Sequence, residues 1–456
     1  MKIGLRLGVA VASGVPVLVL VSMGSVAGLV GTPSVLVWAA SAALGFFMVN
    51  VFGELAGAFP ERTGGIGVLA GAVLAPRSRP LALLAQWCYW FGWSPALAIN
   101  SVLVGTYLQA MLLPWAPSWA AVLIAGAILA GSAAVNHYGI RPGAWVQVAL
   151  ATTAAGGIGI LVGGALLHGG FDPARLQPFV PPGGWTSAQG IVAVSGALFI
   201  AGWSAYGSEL AFSYGTEYDG GTRTAARAAV VVGLASIVAY AVIPLVMLGV
   251  LGTERLQQDP AVGLAPLARL AVGGDVQWVV GLLAVALVLG LNMVMLTSSR
   301  GLYQMARNGD AWSGLGRLNR QGVPANALRF DLAVNLLLLA VALALSGGRT
   351  VDMPIVLLAA SNVGYFASIC LALLAAWLHH GRSAGEAAEH RIVFRGGLIR
   401  ATPAVAALNA VLLVSAGFAW GWDHVLLGAL VIAGVMVGFT RWRALRARPE
   451  LVRRAG

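Results

Sequence analysis

Charge is scarce in this chain of 456 residues. Asp, Glu, Lys and Arg together make up 9% of it, against roughly a quarter in an ordinary soluble domain, which excludes a water-soluble globular fold. Lysine is nearly missing, since Lys2 is the only one. Cysteine is confined to Cys88 and Cys370, both inside apolar stretches, so neither a disulfide framework nor redox chemistry is expected. Within the apolar stretches acids, histidines and cysteines do not gather at ligand spacing; His137 and the pair His379-His380 stand apart from any Cys or acid. No metal centre and no cofactor are expected. Paired acid–base chemistry lacks its groups as well, so the chain reads as a non-enzyme. No connecting segment is long enough for the output domain of a sensor.

Hydrophobic residues are abundant: 59% of the chain, with a mean hydropathy of +0.85. A span needs about 20 apolar residues to cross a hydrocarbon core of about 30 Å, so a chain of this length holds about a dozen. Apolar runs bounded by charge, Pro or Gly clusters place spans at Val9–Val30, Val35–Phe59, Leu81–Leu112, Trp119–Val135, Val146–Leu167 and Gln189–Phe212. The second half gives Ala226–Leu251, Trp278–Ser299, Leu328–Leu345, Pro354–Leu378, Pro403–Trp420 and His424–Thr440. The cations before the first run suggest a signal peptide, but the run passes Val30 without a cleavage site and reads as a span. The 61 glycines would each cost about 1 kcal/mol in a water-exposed helix; in a membrane they let helices pack closely. The expected fold class is an all-α polytopic membrane protein.

The basic residues set the orientation. With the N-terminus inside, 23 of the 27 Lys and Arg residues fall on one side, and only Arg175, Arg255, Arg269 and Arg349 on the other. This asymmetry supports an even number of spans, twelve, with both termini cytoplasmic in a bacterial inner membrane. The formal charge of +11 is dispersed between apolar runs and forms no patch for nucleic acid. Membrane lipids are expected partners, with the Gly381 to Arg400 loop a solvated linker suited to anionic headgroups. Both a monomer and a homodimer remain open.

Only Glu209 lies well inside a span; Glu54 and Asp331 fall near span ends, where a structural role is expected. Two glycine-rich stretches interrupt the helical pattern in comparable places. Ser22-Met23-Gly24-Ser25-Val26-Ala27-Gly28 lies in the first span and Gly202-Trp203-Ser204-Ala205-Tyr206-Gly207-Ser208-Glu209 in the sixth. Interrupted helices in corresponding halves point to a transporter site, because unwound backbone frees N–H and C=O groups for a substrate. Close helix packing is the other reading of such glycines; Trp203 and Glu209 beside the second stretch favour a site.

Three motifs carry a family resemblance. Glu54-Leu55-Ala56 runs into Ala58-Phe59-Pro60-Glu61-Arg62-Thr63-Gly64-Gly65 at the end of the second span. Ser299-Arg300-Gly301-Leu302-Tyr303-Gln304-Met305-Ala306-Arg307-Asn308-Gly309, followed by Gly322-Val323-Pro324, follows the eighth; Trp203 to Glu209, running on to Arg223, completes the set. With these the chain resembles the amino acid, polyamine and organocation (APC) transporter superfamily, including bacterial amino acid permeases and arginine/agmatine antiporters. The resemblance implies a LeuT-like fold of inverted five-helix repeats, residues 1–168 and 188–380, with helices 1 and 6 unwound. Two additional helices at 401–441 and a basic cytoplasmic tail at 442–456 follow.

The resemblance also implies alternating access. Ser22, Met23, Gly24, Ser25 and Val26 would receive an amino acid carboxylate, and the backbone of Ala201, Gly202, Trp203, Ser204 and Gly207 its amine. Trp203 would gate the substrate and Glu209 couple the site to protons, with Tyr89 and Trp93 as pocket candidates on helix 3. Val26 stands where the family has a glycine, Val21 and Val294 where the antiporter has pocket groups, and Trp93 where it has a polar residue. A neutral or apolar amino acid or related amine therefore fits better than a cationic side chain. Ala154 stands near the place of the lysine that some proton-coupled relatives carry on helix 5. Proton-linked transport or exchange leads, with Thr297 and Ser298 as weak sodium candidates. Export, cationic amino acid or polyamine antiport, and a non-transporting sensor are the alternatives.

Overall fold

The computed structural model describes residues 2–168, 170–258, 277–350, 352–380 and 398–455. Among the described residues 12 helices are long and apolar enough to cross a membrane. Spans 1 to 6 are Leu5–Val30, Ser34–Ala58, Arg79–Leu112, Trp119–His137, Ile140–Leu167 and Ala188–Glu217. Spans 7 to 12 are Gly221–Leu256, Ala284–Arg307, Ala325–Leu345, Met353–His380, Ile399–Trp420 and Trp422–Arg443. Among the described residues there is no strand, only an isolated parallel bridge between Ile3 and Tyr218. Residues 381–397 of the expected Gly381 to Arg400 loop lie outside the described residues. The backbone of the expected tail continues the last helix to Ala455.

Burial separates an inner set of spans from an outer one. The apolar window of span 8 is 89% buried and that of span 12 only 17%, so span 8 runs through the protein while span 12 presents most of its surface outward. A polar clamp holds span 8 to spans 4 and 5: Asn292 Oδ1 accepts from Asn136 Nδ2 at 2.7 Å, and Asn292 Nδ2 donates to Gln147 Oε1 at 2.7 Å. Such side-chain bonds, made where no water competes, fix helices that share an apolar environment with lipid.

Span 1 is interrupted, though not where its glycines predict. The α-helix Leu5–Ala12 stops, a 3-10 turn covers Val15–Leu18, and a regular α-helix resumes at Val19–Val30. Ser22, Met23, Gly24, Ser25 and Val26 therefore sit within regular helix, one to two turns beyond the break. Pro16 supplies the physical reason: it has no N–H and its ring crowds the preceding turn. Ser13 closes the first segment, its Oγ bonding the Ala10 carbonyl at 2.5 Å. Backbone angles through the break stay in the right-handed helical region (Ser13 φ −68°, ψ −6°; Gly14 φ −69°, ψ −20°). The segment is tightened rather than extended, which corrects the expectation of unwound backbone.

Span 6 changes in the same way and closer to the expected place. Ala188–Ala205 is α-helical, Tyr206 is the joint, and Gly207–Glu217 is 3-10 helical with a kink at Tyr214 (φ −112°, ψ 18°). Runs longer than three or four residues are uncommon in this geometry and mark hinges or strain. Span 3, placed as the single run Leu81–Leu112, divides at Ser94–Pro95 into Arg79–Trp93 and Ala96–Leu112. A short helix, Ile66–Leu74, was not anticipated; its nine residues are too few to span but are almost all buried.

Candidate functional site

The two interrupted spans cross each other. Ser204 Oγ donates to the Leu18 carbonyl at 3.1 Å, and Tyr240 Oη of span 7 bonds the carbonyls of Val15 at 2.6 Å and Ser204 at 2.9 Å. One tyrosine hydroxyl thus lies against a carbonyl of each interrupted span, its single proton shared between them inside an apolar interior. Gly207 lies between Val15 and Trp93: a Cβ there would come within 3.1 Å of the Trp93 ring and 3.2 Å of Val15. Ser22 Oγ is fully buried and has no hydrogen-bond partner.

Glu209 follows directly on the span 6 joint and is completely buried. Three aromatic donors surround it: Tyr89 Oη to Oε2 at 2.9 Å, Trp93 Nε1 to Oε1 at 3.1 Å and Tyr365 Oη to Oε1 at 3.2 Å. Tyr89 and Trp93 are one turn apart on span 3 and so share a face; Tyr365 comes from span 10. Trp203 packs on Trp93 with ring centroids 5.3 Å apart, and Trp93 meets Tyr365 edge-on at 4.9 Å. Trp203 Nε1 donates to the Gly92 carbonyl at 2.9 Å, beside the span 3 kink. Tyr89, Trp93, Trp203, Gly207 and Glu209, read from the sequence as site residues, are thus brought together.

Asp331 departs from its sequence reading. It lies nearly two turns into span 9 and is fully buried. Its Oδ1 accepts from Trp90 Nε1 at 2.8 Å, Ser94 Oγ at 2.9 Å and Ser298 Oγ at 2.9 Å, whereas Oδ2 has no partner. Asn335, one turn on, takes the Ala98 N–H at 3.1 Å and donates to Ser94 Oγ at 3.0 Å, so it also closes the span 3 kink. The sequence signal was an acid in an otherwise apolar helix, with Asn335 on the same face. The sodium candidates face different partners: Thr297 bonds the Met293 carbonyl at 3.0 Å and pairs with Tyr214, while Ser298 bonds Asp331.

The end of the protein that carries the N-terminus is closed. Arg300 forms a forked pair with Glu217, with Nη2 to Oε2 at 2.9 Å, and lies 5.5 Å from the Tyr214 ring centroid. The N–H of Gly64 reaches the Ser213 carbonyl at 3.0 Å, and Ile3 pairs with Glu217 and Asp219 through backbone bonds of 2.9 Å and 2.7 Å. Gly65 has φ +81°, and a Cβ on it would fall 2.4 Å from Tyr89 Oη; the motif places glycine where the chain turns against a donor of Glu209. At the opposite end a depression of about 700 Å³ opens between Gly31, Thr32, Pro178, Gly252 and Arg255.

Residues 5–439 match the amino acid permease family. The chain belongs to that family. The permease is 26% identical over 385 residues to the amino-acid permease RocE of Bacillus subtilis, covering 82% of this chain and 79% of RocE. It is 25% identical over 308 residues to the amino-acid permease RocC of the same organism, covering 64% of this chain and 62% of RocC. The crystal structure of the Eremococcus coleocola manganese transporter, in complex with an aromatic bis-isothiourea substituted compound, superposes with a TM-score of 0.57 at 15% identity, covering 97% of this chain and 95% of that one. At that identity the likeness is one of fold. The permease and this transporter share an overall fold.

Proposed function

We propose that this permease moves a neutral amino acid, or a related small amine, by alternating access, with protons linked to the cycle through Glu209. The observation that carries the reading is Glu209 itself: a buried carboxylate at the joint of an interrupted span, bonded to three neutral donors and to no cation. Intramembrane acids are costly and mark proton or substrate paths. The inverted repeats, 1–168 and 188–380, would rock about the crossing of spans 1 and 6, with the N-terminal face cytoplasmic.

The substrate would sit at that crossing. Its carboxylate would be received by Ser22 and the first turn of Val19–Val30, where helical N–H groups and the positive end of the helix dipole favour an anion. Its amine would meet the carbonyls of Val15 and Ser204, which Tyr240 occupies in this closed arrangement, with Trp203 and Trp93 as an aromatic wall. Val15, Val21 and Val294 are buried and carry no charge, which supports a small or apolar side chain. Counterflow in proteoliposomes tests the reading. Vesicles preloaded with unlabelled leucine, alanine or arginine are expected to accumulate labelled leucine or alanine; accumulation only with arginine would replace it by cationic exchange.

A further inference from the structure

We infer that Tyr240 is a stand-in for the substrate ammonium: its hydroxyl holds the carbonyls of Val15 and Ser204 before a substrate arrives, and must withdraw for one to bind. The inference rests on the reading of the crossing given above and adds to it the residue that sets the affinity of that site.

The carbonyls at the crossing are served by few protons. Tyr240 Oη lies 2.6 Å from the Val15 carbonyl and 2.9 Å from that of Ser204, and Ser204 Oγ lies 3.1 Å from the Leu18 carbonyl. Two hydroxyls therefore bring two protons to three carbonyls. A hydroxyl donates once and an ammonium three times, while each carbonyl oxygen accepts at two lone pairs. The bonds of an ammonium are also charge-assisted, and so roughly twice as strong as those of a neutral hydroxyl. A primary ammonium placed where the Tyr240 oxygen stands matches these acceptors better than the phenol does. A quaternary ammonium has no proton to offer them.

Tyr240 is built both to keep this position and to leave it. Its ring stacks on Trp38 of span 2, with centroids 5.4 Å apart and planes 26° from parallel, and both side chains are completely buried. Trp38 Nε1 has no hydrogen-bond partner, so Trp38 steadies the tyrosine by its face alone. On the backbone side, Pro244 lies inside the helix of span 7. It has no N–H to give the carbonyl four residues before it, which is that of Tyr240. Helices bend where such a bond is missing. Span 7 can therefore bend at the residue whose hydroxyl bridges spans 1 and 6, and that bend moves the hydroxyl relative to both carbonyls.

The contact lowers affinity, because a bond made without substrate has to be broken to admit one. The net worth of a single hydrogen bond corresponds to about two- to tenfold in binding. Removing the hydroxyl should accordingly tighten substrate binding, the opposite of what deletion of an ordinary pocket or packing group does.

The test uses the full-length permease in proteoliposomes, with counterflow of labelled leucine measured over a range of concentrations. Tyr240→Phe keeps the ring on Trp38 and loses the oxygen; KM for leucine is expected to fall about two- to tenfold. Pro244→Ala returns an N–H to the Tyr240 carbonyl and stiffens the span, and KM is expected to rise. The variant with both changes should keep the low KM, since without the hydroxyl a stiff span holds nothing at the crossing. Isocaproate, the leucine analogue without an amine, serves as a competitor. Its inhibition constant is expected to be the same in wild type and Tyr240→Phe. In detergent, leucine should raise the melting temperature more in Tyr240→Phe than in wild type, because a ligand bound more tightly stabilises more.

A KM equal to or above that of wild type in Tyr240→Phe, with leucine still transported, would overturn the inference and leave neutral amino acid transport in place. A fall in the inhibition constant of isocaproate equal to the fall in KM for leucine would overturn it as well, since the gain would then come from added room and not from freed carbonyls. Should Tyr240→Phe not fold, an unchanged KM in Pro244→Ala has the same force. Folded wild type without counterflow of any amino acid would remove the reading of the crossing and the inference with it.

Discussion

Tyr89 and Trp90 are neighbours in sequence and donate to different buried carboxylates, Tyr89 to Glu209 at 2.9 Å and Trp90 to Asp331 at 2.8 Å. Span 3 is therefore a partition between two acids, and its kink at Ser94–Pro95 lies beside both.

Glu209→Gln keeps the shape and one acceptor of the side chain but cannot ionise. The pH dependence of leucine or alanine uptake is expected to flatten, with several-fold loss at the wild-type optimum. An unchanged profile across the pH range would take Glu209 out of coupling.

Gly65→Ala is expected to be severe. The added Cβ would meet Tyr89 Oη at 2.4 Å, and the residue would have to hold φ +81°. Strain of this kind costs about 1–3 kcal/mol, and relief requires Tyr89 to leave Glu209. Thermal unfolding in detergent should show the loss of stability. Tyr89→Phe in the same background should recover part of it, since the substitution removes the clashing oxygen.

The location of the span 1 break has its own test. Gly28 is an exposed position in the regular helix Val19–Val30, so Gly28→Leu is expected to preserve uptake within about twofold, as surface changes away from special features do. Pro16→Ala restores an N–H at the 3-10 turn and is expected to slow uptake markedly. The opposite ranking of the two variants would put the hinge at the glycines.

Arg300→Lys retains the charge and loses the fork that grips Glu217. Charge-assisted hydrogen bonds are worth about 1.5–3 kcal/mol each, and Glu217 is partly exposed, which lowers the net effect. Accessibility of cysteines introduced near Ser213 to a membrane-impermeant thiol reagent should rise in Arg300→Lys, as the closed end opens more often. Equal labelling in wild type and variant would show that the pair does not hold this end shut.

Much of this permease was legible in the sequence. Twelve apolar runs, each long enough for the bilayer, specified twelve helices, because a backbone without water to bond must satisfy itself within each span. The separation of 23 cations from four predicted an even count. Glu209 stood out as an acid well inside a span and Trp203 by its place in the second glycine-rich stretch, while Tyr89 and Trp93 followed from the family resemblance. The family motifs read correctly too, since residues 5–439 match the amino acid permease family.

Other features depended on partners distant in the chain. Glycines drew attention to Ser22–Gly28, yet span 1 breaks at Ser13–Leu18, where Pro16 removes a bond and Tyr240, 225 residues away, accepts the consequence by bonding Val15. Asp331 read as a span-end acid because hydropathy records depth along one helix and not what faces it. Its setting is made by Trp90, Ser94 and Ser298, which lie on two other spans. The sequence determined which segments enter the membrane, since that is a local balance of apolar area against backbone and charge desolvation. Tertiary structure decided which polar groups inside it bond one another, because hydrogen bonding at about 3 Å depends on how helices from separate parts of the chain pack.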